Sequence, residues 1–133
     1  GKTAGYPQLG TEVPWRTSFY GLYDRARSFG ARAPFDLPPR IEGVEHSFDL
    51  KTPFDFVSTN DIIGGNSGSP VLDRDGHYVG LVFDGNIQSF AWEFGYTDTQ
   101  ARCVSVDSRA IVESLRHIYG MDKLADELTA TPK

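Results

Sequence analysis

The sequence contains very little cysteine and no long hydrophobic run. Cys103 is its one cysteine, so the chain can form neither an internal disulfide nor a multi-cysteine zinc site. No stretch of 18 apolar residues is present, so no membrane-spanning helix is expected. Basic residues are also fewer than acidic ones. The chain has 13 Lys and Arg but 18 Asp and Glu, so its net charge is −5. A nucleic-acid-binding domain needs a basic surface, and that class of partner is therefore not expected.

The remaining composition is that of a globular protein. The chain has 133 residues, of which 39% are hydrophobic and 23% are charged. These values predict one folded domain, or one piece of a larger one. The sequence opens without Met or a signal peptide, so we expect an expressed fragment or a processed piece. Cys103 lies in an alternating stretch, which favours a small buried side chain over a reactive thiol.

Alternating and apolar patterns predict a few antiparallel strands. They are expected at 53–57, 70–72, 77–84 and 101–106. The first two precede and follow a turn rich in small residues, and the dipeptide Asp75-Gly76 predicts a hairpin before the third. Four strands are too few to close a barrel alone. We therefore expect a mainly β fold, an incomplete barrel whose missing edge comes from absent residues or from a second chain.

Helical spacing predicts three helices around these strands. They are expected at 17–28, from Asp107 or Ser108 to about residue 119, and at 121–128. The segments 1–15, 30–43 and 85–100 are predicted to be loops, strand ends or irregular connections. The domain thus divides into an irregular lead-in with a short helix (1–52), barrel strands (53–106) and C-terminal helices (107–128).

The run from Gly64 to Pro70 (GGNSGSP) is the strongest functional signal. It places Ser67 among small, turn-forming residues, where the N–H groups of Gly65 and Ser67 can converge if the backbone curls around Asn66. A serine that performs acyl transfer needs such donors for its oxyanion, together with a base and a group that orients the base. The run predicts a serine nucleophile. A glycine-rich hairpin without chemistry is the weaker alternative.

No base for Ser67 is evident in the sequence. For His46, His77 and His117 a surface or structurally satisfied histidine is the favoured interpretation. Two other motifs fail on spacing. An α/β-hydrolase elbow needs glycine where Ser69 stands, and a phosphate-binding loop needs a lysine after its glycines.

Residues 65–71 (GNSGSPV) resemble the nucleophile turn of chymotrypsin-like serine proteases, with Asn66 at the usual aspartate position. The longer stretches 59–71 and 80–86 resemble peptidase family S46, the bacterial dipeptidyl peptidases of types 7 and 11. The resemblance covers essentially the whole chain and is strongest over residues 53–120.

This resemblance implies a partial chymotrypsin-like antiparallel β-barrel with a C-terminal α-helix. It implies a serine enzyme that releases dipeptides from peptide N-termini without cofactor or metal. It also implies a periplasmic or cell-surface location and a homodimer or other oligomer. The family's catalytic histidine and aspartate precede its serine by hundreds of residues and have no counterpart here. We therefore expect a C-terminal portion of a longer enzyme, inactive alone.

The resemblance also implies roles for individual residues. Ser67 is the nucleophile, and the N–H groups of Gly65 and Ser67 are the oxyanion donors. Asp84 is implied to bind the free α-amine of the substrate. Gly85 stands where arginine gives a preference for Asp or Glu before the scissile bond, and where glycine gives a preference for hydrophobic residues.

Further aromatic and polar residues flank this position. Phe83 and Asn86 are expected to shape the wall of the substrate pocket. For Trp92 and Phe94 a core role is favoured over a place in that wall. The alternative function for the whole chain is a non-catalytic β-module that binds peptides or oligomerises by strand pairing.

Overall fold

The computed structural model describes residues 4–6 and 10–130. Its strands are β1 (Ala4–Tyr6), β2 (Thr11–Val13), β3 (Arg16–Ser18), β4 (Pro53–Ser58), β5 (Pro70–Leu72), β6 (Tyr78–Gly85) and β7 (Cys103–Asp107). Its α-helices are α1 (Phe19–Ser28), α2 (Pro39–Glu42), α3 (Ser108–His117) and α4 (Asp122–Thr129). Two 3-10 helices span Glu45–Ser47 and Ile87–Glu93. None of the helices described is long and apolar enough to span a membrane.

The chain forms two compact units. The first contains the segment up to Thr17 and the segment Phe54–Ser108. The second contains the segment Ser18–Pro53 and the segment that begins at Arg109. Every residue with a predicted role in a functional site lies in the first unit.

A five-stranded sheet with the order β3-β4-β7-β6-β5 dominates the first unit. β4 pairs with β7, β7 with β6, and β6 with β5, all antiparallel, and β1 and β2 form a separate antiparallel pair. β7 alternates between buried and half-buried residues, as expected for a strand at the centre of a sheet. Gly80 in β6 is required by close packing, because a Cβ there would lie 2.6 Å from the ring of Phe56.

A small apolar core fixes the end of the sheet nearest the serine turn. Val82, Trp92, Ala101 and Cys103 are buried together, with Ile62 and Val71 packed against them. The indole N–H of Trp92 donates to the carbonyl of Thr97 at 2.7 Å, so this buried polar group is satisfied. Cys103 is fully buried, which confirms its predicted role as a small hydrophobic residue.

The second unit is helical. Its α1 begins after Ser18, whose side chain accepts a hydrogen bond from the N–H of Gly21 and caps the helix. Phe19 is buried and stacks on Phe48 with ring centroids 4.3 Å apart. The hydroxyl of Tyr23 donates to the carbonyl of Ile41 at 2.8 Å. These contacts anchor α1 to the segment that follows it.

The predicted helices and the predicted strands from residue 53 onward are confirmed to within a few residues. The fold is nevertheless mixed α/β, and the expectation of a mainly β chain is wrong. The lead-in also contains structure that local patterns did not indicate, namely β1 to β3 and the single turn α2. Of the segment 1–15, residues 1–3 and 7–9 lie outside the described residues.

Candidate active site

The turn that carries Ser67 depends on two glycines with positive φ. Gly65 has φ +100° and Gly68 has φ +90°, a region that side chains with a Cβ rarely adopt. Between them, Asn66 closes the turn on both sides. Its side-chain Oδ1 accepts from the N–H of Ile63 at 2.7 Å, and its carbonyl accepts from the N–H of Ser69 at 2.9 Å. The result is a tight loop with Ser67 exposed at its tip.

Two backbone hydrogen bonds attach this loop to β6. The N–H of Gly68 donates to the carbonyl of Val82 at 2.8 Å, and the N–H of Val82 donates to the carbonyl of Ser69 at 3.0 Å. Immediately beyond Val82 the register of β6 against β7 shifts by one residue, which leaves Phe83 in a β-bulge. The hydroxyl of Ser67 donates to the carbonyl of Phe83 at 3.3 Å. The bulge therefore lies directly beside the serine.

Backbone N–H groups on both sides of Asn66 are left without a protein acceptor. Within the described ranges, the structure gives neither the N–H of Gly65 nor that of Ser67 a hydrogen-bond partner. Both residues border a cavity beside Ser67. Unpaired donors at an exposed site are available to an anionic oxygen.

A cavity of about 190 Å³ opens beside Ser67. Its walls come from the turn, from the end of β6 and from the 3-10 helix Ile87–Glu93. The lining residues are Ile62, Ile63, Gly64, Gly65, Asn66, Ser67, Val82, Phe83, Asp84, Gly85, Ser89, Phe90 and Glu93. The cavity thus combines apolar walls with two hydroxyls and two carboxylates, which is typical of a site that binds and orients a small substrate.

Gly85 keeps part of this cavity open. A Cβ built on Gly85 would lie 2.2 Å from Oγ and 3.1 Å from Cβ of Ser89. The hydroxyl of Ser89 is itself held by a 2.7 Å hydrogen bond to the carbonyl of Asn86. A side chain at position 85 would therefore have to displace Ser89 before it occupied the cavity.

Most of the predicted site residues meet at this cavity. Ser67, Gly65, Phe83, Asp84 and Gly85 all line it. The carboxylate of Asp84 is exposed, and its Oδ1 accepts from the N–H of Gly85 at 2.8 Å.

Asn86, which was expected to shape the pocket wall, does not line the cavity, and neither do Trp92 and Phe94. The amide of Asn86 donates to the carbonyl of Gln100 and accepts from the N–H of Arg102, so Asn86 holds the loop 86–102 together and affects the wall only indirectly. Trp92 is buried in the core, which confirms its favoured interpretation. Phe94 is 93% exposed, and the core role favoured for it is wrong.

Several residues that line the cavity beside Ser67 had no role predicted from the sequence. These are Ile62, Ile63, Ser89, Phe90 and Glu93. Ser89, Phe90 and Glu93 lie on a 3-10 helix in a segment that was expected to be irregular. The run of aromatic residues after Gly85 was the available signal, but it does not indicate which side chains face the cavity.

His77 is the histidine of the same unit, and it lies at the opposite end of β6. At about 3.3 Å per residue, roughly 20 Å of strand separate it from Phe83 beside the serine. Its Nδ1 is 3.1 Å from Oδ2 of Asp73. This pairing places His77 in the hairpin turn, away from Ser67.

Asp73, Asp75 and His77 form an exposed group whose ligand-capable atoms lie within 4.8 Å of one another. Asp73 Oδ1 accepts the N–H groups of Asp75 and His77, each at 2.9 Å. The backbone hydrogen bond from His77 is the main cause that lowers the pKa of Asp73 below its usual value. The geometry of the hairpin turn accounts for this group, and no metal role follows from it.

Comparison with known proteins agrees with this arrangement. The family model "Peptidase S46" matches residues 1–130. A dipeptidyl-peptidase 7 from Phocaeicola vulgatus is 40% identical over 131 residues, which covers 92% of this chain and 18% of that protein. An Asp/Glu-specific dipeptidyl-peptidase from Porphyromonas gingivalis is 33% identical over 106 residues, which covers 74% of this chain and 15% of that protein.

Among solved structures, DPP11 of Porphyromonas endodontalis in complex with the dipeptide Arg-Asp superposes with a TM-score of 0.80 at 21% identity. The superposition covers 98% of this chain and 19% of that chain, so the likeness concerns the fold. The chain spans less than a fifth of the length of these relatives. Because the family model extends over nearly the whole sequence, this chain belongs to the peptidase S46 family.

Proposed function

We propose that this chain carries the nucleophile of a serine dipeptidyl peptidase, which releases dipeptides from the N-termini of peptides. The observation that carries the proposal is the shared cavity of Ser67, Asp84 and Gly85, bordered by the free N–H groups of Gly65 and Ser67. The activities for which two similar proteins are named, dipeptidyl-peptidase 7 and Asp/Glu-specific dipeptidyl-peptidase, support the same function.

In this proposal Ser67 Oγ attacks the carbonyl carbon of the second peptide bond. The N–H groups of Gly65 and Ser67 stabilise the resulting oxyanion, and the loss of one such donor typically costs about 3 kcal/mol of transition-state stabilisation. The peptide amine then leaves with the proton taken from Ser67, and a dipeptidyl ester forms on Oγ. Water hydrolyses this ester and releases the dipeptide.

The base that takes the proton of Ser67 comes from residues outside this sequence. In the structure the hydroxyl donates to the carbonyl of Phe83 at 3.3 Å, a long hydrogen bond that can exchange for one to a base. His77, roughly 20 Å away along β6, is too distant for a proton transfer that needs heavy atoms about 3 Å apart.

Asp84 explains why the proposed enzyme requires a substrate with a free N-terminal amine. Two extended residues span at most about 7 Å, so the α-amine lies that close to the scissile bond. Asp84 directly follows Phe83, whose carbonyl holds the serine hydroxyl. One carboxylate oxygen of Asp84 accepts from Gly85, and the other can form a charge-assisted hydrogen bond with the ammonium.

The cavity receives the side chain of the residue before the scissile bond, the P1 residue. Its walls include Ile62, Phe83 and Phe90, which favour an apolar side chain. No Lys, Arg or His is among the lining residues, so an acidic P1 side chain would meet no opposite charge. The proposal therefore includes a preference for hydrophobic P1 residues over Asp and Glu.

The resemblance supports two further parts of the proposal. The enzyme acts in the periplasm or at the cell surface of a bacterium, and it works as a homodimer. Both follow from the family rather than from geometry, and fractionation and sedimentation of the longer protein test them directly.

The alternative, a non-catalytic β-module that binds peptides or associates by strand pairing, receives less support. β5 is an edge strand of the large sheet, but it has three residues and begins with Pro70. Short edge strands and edge prolines oppose edge-to-edge association. The open cavity beside Ser67 has no role in strand pairing, and a module that only binds peptides would not need a serine hydroxyl beside unpaired N–H groups.

The proposal is tested in the longer polypeptide that contains this chain. Ser67→Ala should reduce kcat on dipeptidyl-coumarin substrates on the order of 10⁶-fold and abolish labelling by a fluorophosphonate probe. Ser69→Ala is the matched control, because it removes the other hydroxyl of the turn. It should keep both labelling and turnover within a few-fold of wild type. Substantial turnover by Ser67→Ala would remove Ser67 from the mechanism.

A further inference from the structure

The cavity beside Ser67 contains one charge that the proposed function does not use. Its charged lining residues are Asp84 and Glu93, both carboxylates. Asp84 is assigned to the α-amine of the substrate. Glu93 remains, exposed at the cavity, and the lining offers it no cationic partner.

The backbone at Glu93 is held firmly beside the cavity. The preceding residue, Trp92, is buried, and its indole N–H donates to Thr97. Trp92 also stacks on Tyr96 at a centroid distance of 6.0 Å, and the hydroxyl of Tyr96 donates to the carbonyl of Thr59 at 2.8 Å. The carboxylate is thus carried by a braced 3-10 helix, which ends at Glu93.

The size and walls of the cavity fit a long side chain. About 190 Å³ corresponds to on the order of ten water-sized sites. Ile62, Ile63 and Phe90 supply apolar surface for an aliphatic stem. A side chain with an apolar stem and a cationic end matches both the walls and the unused carboxylate, as the lysine and arginine side chains do.

We propose that Glu93 pairs with the cationic end of a lysine or arginine at P1, so that the peptidase cleaves after basic residues as well as after hydrophobic ones. This inference rests on the proposed function, because it assigns the cavity to the P1 side chain. The pairing is a charge-assisted hydrogen bond, which is stronger than one between neutral groups. Glu93 is then a specificity-determining residue and takes no part in the chemical step.

The test compares kcat/KM for three dipeptidyl-coumarin substrates that differ only at P1, which is Lys, Met or Glu. In the longer protein that contains this chain, Glu93→Gln should lower kcat/KM for the Lys substrate about tenfold, as expected for the loss of one charged hydrogen bond. The Met substrate, which reports folding and chemistry, should change less than twofold. Glu93→Lys should further weaken the Lys substrate and improve the Glu substrate.

Asp75→Asn is the matched control. It removes one negative charge from the same unit, in the exposed hairpin turn away from the cavity. It should leave the Lys-to-Met ratio unchanged, which separates a local pairing from the net charge of the protein.

The outcomes distinguish the two proposals. If wild type cleaves the Met substrate and Glu93→Gln keeps the wild-type Lys-to-Met ratio, the role of Glu93 is overturned and the peptidase function stands. If wild type releases no dipeptide from any of the three substrates, the peptidase function fails and the role of Glu93 fails with it.

Discussion

Gly85 lies in the wall of the cavity, where there is no room for a side chain. A Cβ there would lie 2.2 Å from Oγ of Ser89, closer than non-bonded atoms approach. Gly85→Ala should therefore destabilise the 133-residue chain by about 1–3 kcal/mol, the usual cost of overpacking. In a Ser89→Gly background the same substitution should cost about 1 kcal/mol less, because the opposing atoms are gone. Urea unfolding of the four variants gives this coupling free energy.

Gly95→Ala is the control for that cycle. Gly95 lies in the same unit, has no positive φ, and has no atom within 4 Å of a built Cβ. Its substitution should change the free energy of unfolding by less than about 0.5 kcal/mol. Additive effects of Gly85→Ala and Ser89→Gly would show that the two side chains do not compete for space.

Residue-level prediction from sequence succeeded where local chemistry was sufficient. The tight turn at Ser67 was predictable because it needs glycines, and the structure gives Gly65 and Gly68 the positive φ that such a turn requires. The role of Ser67 as a nucleophile stays a prediction. Glu93 was not identified, because its place at the cavity depends on the buried neighbour Trp92 and on the path of the 3-10 helix. No local pattern distinguishes it from the other surface carboxylates.

At the scale of elements, the strands from β4 onward were predictable, and the short strands β1 to β3 near the start of the chain were not. β6 has eight residues dominated by β-branched and aromatic types, and its predicted bounds were shifted by one residue. β3 has three residues, and its place in the sheet depends on β4, where the N–H of Val57 donates to the carbonyl of Trp15 beside it. The β-bulge at Phe83 likewise has no local signal, since it arises from the register of β6 against β7.

β4 carries a carboxylate where its neighbours are apolar. The strand is the second in the sheet order, and Asp55 is half-buried in it between Phe54 and Phe56. Burial raises the pKa of Asp55 from 3.8 to about 6. The folded state therefore prefers the protonated carboxyl. This contribution to stability is complete below about pH 4 and is lost as the pH rises towards 6.

The raised pKa of Asp55 in β4 predicts that the stability of the chain depends on pH. The urea midpoint of the chain should fall as the pH rises from 4 to 6, and Asp55→Asn should reduce that fall because its amide does not titrate. Glu127→Gln, on the exposed surface of α4, should retain the fall. A midpoint in Asp55→Asn that follows the wild-type pH profile would show that another group causes the dependence.

At the scale of the whole molecule, one unit holds all the residues of the proposed active site that this chain contains. The candidate nucleophile, its oxyanion donors and the substrate cavity all lie in the unit that contains Phe54–Ser108. The relatives are at least five times as long as this chain, and the curated ones act as dipeptidyl peptidases by name. The proposed mechanism needs a base for Ser67 that this unit does not supply, since its histidine lies at the far end of β6.

The isolated 133-residue chain should therefore bind substrate-like dipeptides but turn them over very slowly. Loss of the catalytic base costs on the order of 10⁶-fold in kcat, and what remains comes from the oxyanion donors and from binding. The residual activity is measured as hydrolysis of a dipeptidyl-coumarin substrate by the isolated chain. Ser67→Ala is the background control. Turnover near that of the longer protein would require a base among His46, His77 and His117, and His77→Ala would be the first variant to distinguish them. Weak turnover that Ser67→Ala abolishes would show instead that this chain contributes a correctly formed nucleophile turn, and that the longer protein supplies its base.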